Sequence, residues 1–122
     1  MILIYIDTEE GKIKKTAYEV ATYAKALATE QNTTVAAITI NANDIEILGN
    51  YGVDKILAVN EPRLVHFSAK SIAHILTQAV EQTQATTVIF SSSLAAKSIA
   101  PLLAIRLQAG YANNVISLPD SN

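Results

Sequence analysis

The chain has no cysteine, so it offers no disulfide, thiolate nucleophile, redox dithiol or cysteine ligand for an iron–sulfur cluster. Any redox role must be borrowed from another group. It also lacks a long apolar run. The longest uninterrupted one, Ile2 to Ile6, is far short of the roughly 20 residues that cross a bilayer, and membrane insertion is not expected. The opening stretch MILIYIDTEEGKIKK puts that run at the terminus and follows it with Asp7, Glu9 and Glu10. That is the wrong order and charge for a signal or transit peptide, and the expected location is cytoplasmic. Lysine and arginine number 9 against 11 acidic residues and are dispersed apart from Lys12, Lys14 and Lys15. Without a basic stripe to neutralise phosphates, nucleic acid is not an expected partner.

The usual signatures of chemistry are missing as well. Neither GxGxxG nor GxxxxGKS occurs, and the nucleophile-elbow pattern GxSxG is absent. The 2 histidines, His66 and His74, are eight apart across a helix start and do not share a face at metal-ligand spacing. Asp7 ends the first apolar run, where a carboxylate could serve a metal, a ribose or a phosphoacceptor pocket. Asn60 stands where an acidic partner would be needed, which disfavours a Mg²⁺-binding receiver domain. No serine is activated above the others, and no catalytic residue or metal ligand is expected. The lysine group reads as a solvated turn or, alternatively, as a docking patch.

What remains is a well-patterned core. Half of the 122 residues are hydrophobic and the mean hydropathy is +0.25, enough for one compact domain over 1–122 without disulfides or metal. Ile2–Ile6 and Val35–Ile40 are apolar runs of the kind covered on both faces. Lys55–Val59, Thr87–Phe90 and Val115–Leu118 complete five expected strands. After a polar turn holding Gly11, residues 16–31 place Ala17, Val20, Ala21, Ala24, Leu27 and Ala28 on one stripe of a helix. Asn43 with Glu46 resembles an N-cap and its reciprocal partner, opening a short helix that Gly49 would end. Ser68 can cap a longer helix buried through Ile72, Ile75, Leu76, Ala79 and Val80. A last helix follows SSSLAAKS and runs to about Leu107, with Gly110 as its stop. Pro101 either kinks that helix or lies in the first turn of one capped by Ser98.

Strands alternating with helices imply right-handed βαβ units and a three-layer, doubly wound parallel sheet of order 3-2-1-4-5. Ligands of such sheets bind outside the carboxyl ends of the strands, where the order reverses. Asp7, Thr8 and Ser91, Ser92 and Ser93 line that place. The three serines could present hydroxyls and amides to a phosphate; the other reading is a polar strand-to-helix loop that satisfies its own amides.

Three stretches, taken in order, resemble the alpha subunit of electron transfer flavoprotein. GKIKKTAYEVATYAKAL (11–27) is similar to that family's turn and first helix, and NYGVDKILAVN (50–60) to its tyrosine–glycine–alanine–aspartate–lysine strand entry. SLAAKSIAPLLAIRLQAGYANNVISL (93–118) is similar to its alanine–proline helix and next strand. Ala96 and Lys97 stand where the family usually shows glycine and arginine, so an arginine role is not carried over. The resemblance implies an adenine-nucleotide-hydrolase-like, Rossmann-like fold. It also implies an amino-terminal scaffold without its carboxyl-terminal FAD-binding domain, so FAD is expected in the full-length protein and none in this segment. The partners it implies are a beta subunit and flavin dehydrogenases such as the acyl-CoA dehydrogenases of fatty acid beta-oxidation, with electrons passing towards the quinone pool. Self-association through a face bared by truncation is a further expectation. The rival is a freestanding adenine-nucleotide-binding module of universal-stress type, which would use the Ser91 to Ser93 loop directly.

Overall fold

The computed structural model describes residues 1–6, 8–9, 11–61, 68–90, 94–107 and 114–117; at 9, 94–96 and 114–117 the description is of the backbone. The strands of the main sheet are β1 (Ile2–Tyr5), β4 (Val35–Ile40), β5 (Lys55–Val59), β6 (Thr87–Phe90) and β7 (Asn114–Ser117). All pair in parallel in the order β5-β4-β1-β6-β7, which is the expected doubly wound order. β1 takes the middle because its side chains are apolar on both faces and every one is buried. Ile2 lies opposite Val35 on one side and Thr87 on the other.

Strand pleating sends alternate residues to opposite faces, and two cores result. Ile2, Ile4 and Ile6 meet α1 (Lys15–Gln31) and the 3₁₀ helix Ile45–Tyr51 through Ala17, Val20, Ala21, Ala24, Ala28 and Leu48. Leu3 and Tyr5 meet α2 (Ala69–Thr83) and α3 (Leu94–Leu107) through Ile72, Leu76, Val80, Ile99 and Leu103. Phe90 joins this second core, its ring centroid 5.7 Å from that of Tyr5. Four alanines of α1, at 17, 21, 24 and 28, are fully buried, so the helix meets the sheet through methyl groups. Ser68 caps α2 as the sequence predicts, its hydroxyl accepting from the Ser71 amide.

Several boundaries differ from expectation. Asn43 does not cap the helix that follows. Its backbone N–H donates to the Gly11 carbonyl at 2.8 Å, the N-cap position falls to Asp44, and no side chain caps there. Gly49 is interior to the 3₁₀ turn and Gly52 ends it, because the terminating residue needs a left-handed conformation and Gly52 has φ 95°. α3 runs unbroken from Leu94, so Ser98 is interior and is not its cap. Pro101 sits mid-helix and denies the Lys97 carbonyl its usual donor. The last strand begins a residue early, at Asn114, while Gly110 and Leu118 lie outside the described residues. A small antiparallel hairpin, β2 (Thr8–Glu9) with β3 (Lys12–Ile13), replaces the expected polar turn. Gly11 at φ 80° closes it.

Candidate functional site

The carboxyl ends of β1 and β6 flank the point where strand order reverses, the usual ligand position in open α/β sheets. Asp7, Ser91, Ser92 and Ser93, which the sequence reading assigns to this end, lie outside the described residues. Thr8 is half-buried at the start of β2, directly beyond the carboxyl end of β1. The Ile6 amide continues the ladder by donating to the Ile38 carbonyl at 3.0 Å.

The described part of the rim is stitched together by two asparagines. Asn41, at φ 53° just beyond β4, donates its backbone N–H to the Val59 carbonyl at 2.8 Å. Its side chain holds the backbone of Glu61 at both ends: Nδ2 donates to the Glu61 carbonyl at 3.0 Å and Oδ1 accepts from the Glu61 amide at 2.7 Å. Asn43 then receives the hairpin tip, and a Cβ added at Gly11 would stand 3.1 Å from Asn43 Nδ2. The loops after β1, β4 and β5 are thus tied to one another. The one hint in the sequence is asparagine itself just after a strand, since it tolerates the left-handed region better than most residues.

α1 begins at this same end. Lys14 holds its N-cap position without a side-chain cap, and the first turn carries no acidic residue. Lys12 and Lys15 are exposed on β3 and on the first turn of α1. The Thr16 hydroxyl is buried without a hydrogen-bond partner among the described residues. Of the histidines, His74 is exposed on α2 and His66 lies outside the described residues. Among the described residues no group of three histidine, cysteine or acidic side chains could hold a metal ion. None of the described helices is long and apolar enough to cross a membrane.

A family model described as the electron transfer flavoprotein domain matches residues 2–122. The lactate dehydrogenase (NAD⁺, ferredoxin) subunit LctC of Acetobacterium woodii is 30% identical over 112 residues, which are 89% of this chain and 27% of that one. The electron transfer flavoprotein subunit alpha of Bacillus subtilis is 24% identical over 118 residues, 96% of this chain and 36% of that protein. An acryloyl-CoA reductase electron transfer subunit beta of Anaerotignum propionicum is 25% identical over 89% of this chain and 30% of its own length. The chain therefore spans about a third of these curated relatives. Among solved structures, the universal stress protein of Archaeoglobus fulgidus in complex with dAMP has a TM-score of 0.57 at 11% identity, covering 97% of this chain and 96% of that one. The fold is thus that of the universal stress proteins, reached with little sequence in common.

Proposed function

The chain belongs to the electron transfer flavoprotein domain family, and on that footing we propose that it is the amino-terminal scaffold domain of an alpha-type subunit. In this reading it seats the flavin-bearing remainder of the subunit and pairs with a beta-type subunit of related fold. The observation that carries the reading is the reach of the family match, from residue 2 to residue 122. Further support comes from relatives whose names describe electron transfer subunits.

FAD supplies the electron-carrying chemistry when bound, and its place is the carboxyl-terminal domain of the full subunit. The described residues of this chain do not fit a flavin site. Asn41 uses both ends of its carboxamide, and Asn43 its backbone N–H, to fix neighbouring loops, and the sequence has no glycine-spaced loop through which backbone could approach a pyrophosphate. The chain's own contribution is rigidity: a fully buried central strand and a rim of tied loops on which a second domain can rest. Electrons would come from a flavin dehydrogenase, of acyl-CoA dehydrogenase type or one acting on another substrate, and pass towards the quinone pool.

The rival reading rests on a likeness of shape, since a solved neighbour of this fold is a complex with dAMP. Absorption spectra and nucleotide extraction separate the two. The scaffold reading expects a colourless, nucleotide-free 122-residue chain, beside a yellow, FAD-containing complex when the chain is part of a full-length alpha subunit coexpressed with its beta-type partner. Release of AMP or ATP from the short chain would overturn it and make Ser91 to Ser93 the loop to mutate.

A further inference from the structure

The chain has 5 tyrosines and neither cysteine nor tryptophan, so phenols are the groups from which a single electron is most readily removed. Their surroundings differ. Tyr5 is buried and its ring neighbour is Phe90, which is not a phenol. Tyr23 is 43% exposed and makes no ring contact with a described residue, and Tyr111 lies outside the described residues. Tyr18 and Tyr51 alone among the described tyrosines bring two phenols together, with ring centroids 4.6 Å apart and planes at 27°.

The pair joins elements more than thirty residues apart in sequence. Tyr18 is half-buried in the second turn of α1, and Tyr51 ends the 3₁₀ helix at 37% exposure. Beneath them Leu48 anchors the 3₁₀ helix in the core shared with α1, which holds the two backbones in place. Hollows of about 440 Å³ and about 280 Å³ border Tyr18, so its ring has room to tilt out of the stack and meet Tyr51 edge to edge.

We propose that Tyr18 and Tyr51 are a site of oxidative modification, coupled within one chain into a dityrosine that joins α1 to the 3₁₀ helix. Each phenol gives one electron to the oxidant and one proton to water, leaving a neutral phenoxyl radical shared with the ring carbons beside the oxygen. The two radicals pair as one carbon–carbon bond between such carbons. The hydrogen on each bonded carbon then moves to its own oxygen, which restores both aromatic rings. Two electrons and two protons leave in all, and an oxidant of the peroxide class takes the electrons. The proposal does not rest on the flavoprotein reading, because it uses only the geometry of the ring pair.

Photo-oxidation of the 122-residue chain by a ruthenium tris-bipyridine complex tests it, with persulfate taking the two electrons as it becomes two sulfates. The expected product is a monomer lighter by two hydrogen atoms, with dityrosine fluorescence whose yield does not depend on protein concentration. Proteolysis and mass spectrometry then find the peptide of Tyr18 bonded to that of Tyr51. Tyr18→Phe and Tyr51→Phe each keep a ring in the stack and abolish the fluorescence of the monomer, whereas Tyr23→Phe leaves it unchanged. Circular dichroism checks that each variant keeps the fold. A cross-link closing a loop of this length is expected to raise the melting temperature by about 10 °C. A monomer without dityrosine, a cross-link found only between chains, or a signal that survives Tyr18→Phe would each overturn the proposal. None of these results bears on the flavoprotein reading, which has its own spectroscopic test.

Discussion

Asp54 engages both the backbone N–H and the backbone carbonyl of Val35. The Asp54 amide donates to the Val35 carbonyl at 2.9 Å, and Asp54 Oδ2 accepts from the Val35 amide at 2.9 Å. Val35 is the fully buried first residue of β4, and Asp54 is the last residue before β5. One residue thereby starts two neighbouring strands in register. Asp54→Ala removes the acceptor and leaves a buried amide unsatisfied, a loss of about 1–3 kcal/mol. Urea unfolding of Asp54→Ala beside Asp54→Asn measures it. The asparagine carbonyl can still accept, so its loss is expected to be smaller, and equal losses would refute the role given to the oxygen.

Gly52 and Gly49 are three residues apart and respond in opposite ways to the same change. A Cβ at Gly52 would stand 2.5 Å from Lys25 Cγ on a backbone at φ 95°, whereas nothing lies within 4 Å of one at Gly49. Gly52→Ala is expected to destabilise by about 2 kcal/mol through strain and crowding. Gly49→Ala is expected to be neutral, or to stabilise by up to about 1 kcal/mol through a less flexible unfolded chain. Thermal melts of the pair decide the matter; similar losses in both would contradict the structure.

Asn41 combines a left-handed backbone with two side-chain hydrogen bonds to Glu61. These contributions can be separated. Asn41→Gly keeps the conformation and loses the bonds; Asn41→Ala loses both. The alanine variant should be the less stable by about 1 kcal/mol, the cost of placing a side chain in that region. If glycine proves as damaging as alanine in urea unfolding, the backbone conformation is not part of the cost.

Pro101 is exposed in the interior of α3. Replacing it with alanine restores a donor for the Lys97 carbonyl and removes a clash worth about 3 kcal/mol. Roughly 1 kcal/mol of that is offset by the freer unfolded chain. The expected gain is about 2 kcal/mol, read as a higher melting temperature. A melting temperature that falls would mean the helix depends on the proline in a way its geometry does not reveal.

The buried strands were legible because a strand covered on both faces must be apolar at every position, and Ile2–Ile6 and Val35–Ile40 have no other plausible use. The stripes of α1 and α2 were legible for the corresponding reason at helical spacing. The hairpin of Thr8–Glu9 with Lys12–Ile13 was not, since strands of two residues are too short to show alternation. Asn43 and Glu46 match a capping pattern by spacing alone. The Asn43 amide is instead engaged by Gly11, more than thirty residues earlier in the chain, and local pattern carries no record of such a bond. The same holds at the candidate site. Topology located it at the carboxyl ends of the strands, but the Asn41 grip on Glu61 arises only when distant loops meet.

The alanine stripe of α1 makes the two sides of the sheet unequal under mutational drift. Beneath α2 and α3, branched and aromatic side chains can exchange volume with their neighbours, and one substitution can be compensated by the next. Along α1 itself, the fully buried methyl groups at 17, 21, 24 and 28 have nothing to trim, and enlarging one must either lift the helix or be matched by trimming an isoleucine of the strand beneath it. Related chains that keep this architecture should therefore diverge freely on the α2 and α3 side while holding small residues along α1. That side then acts as the reference plane against which the rest of the domain is free to change.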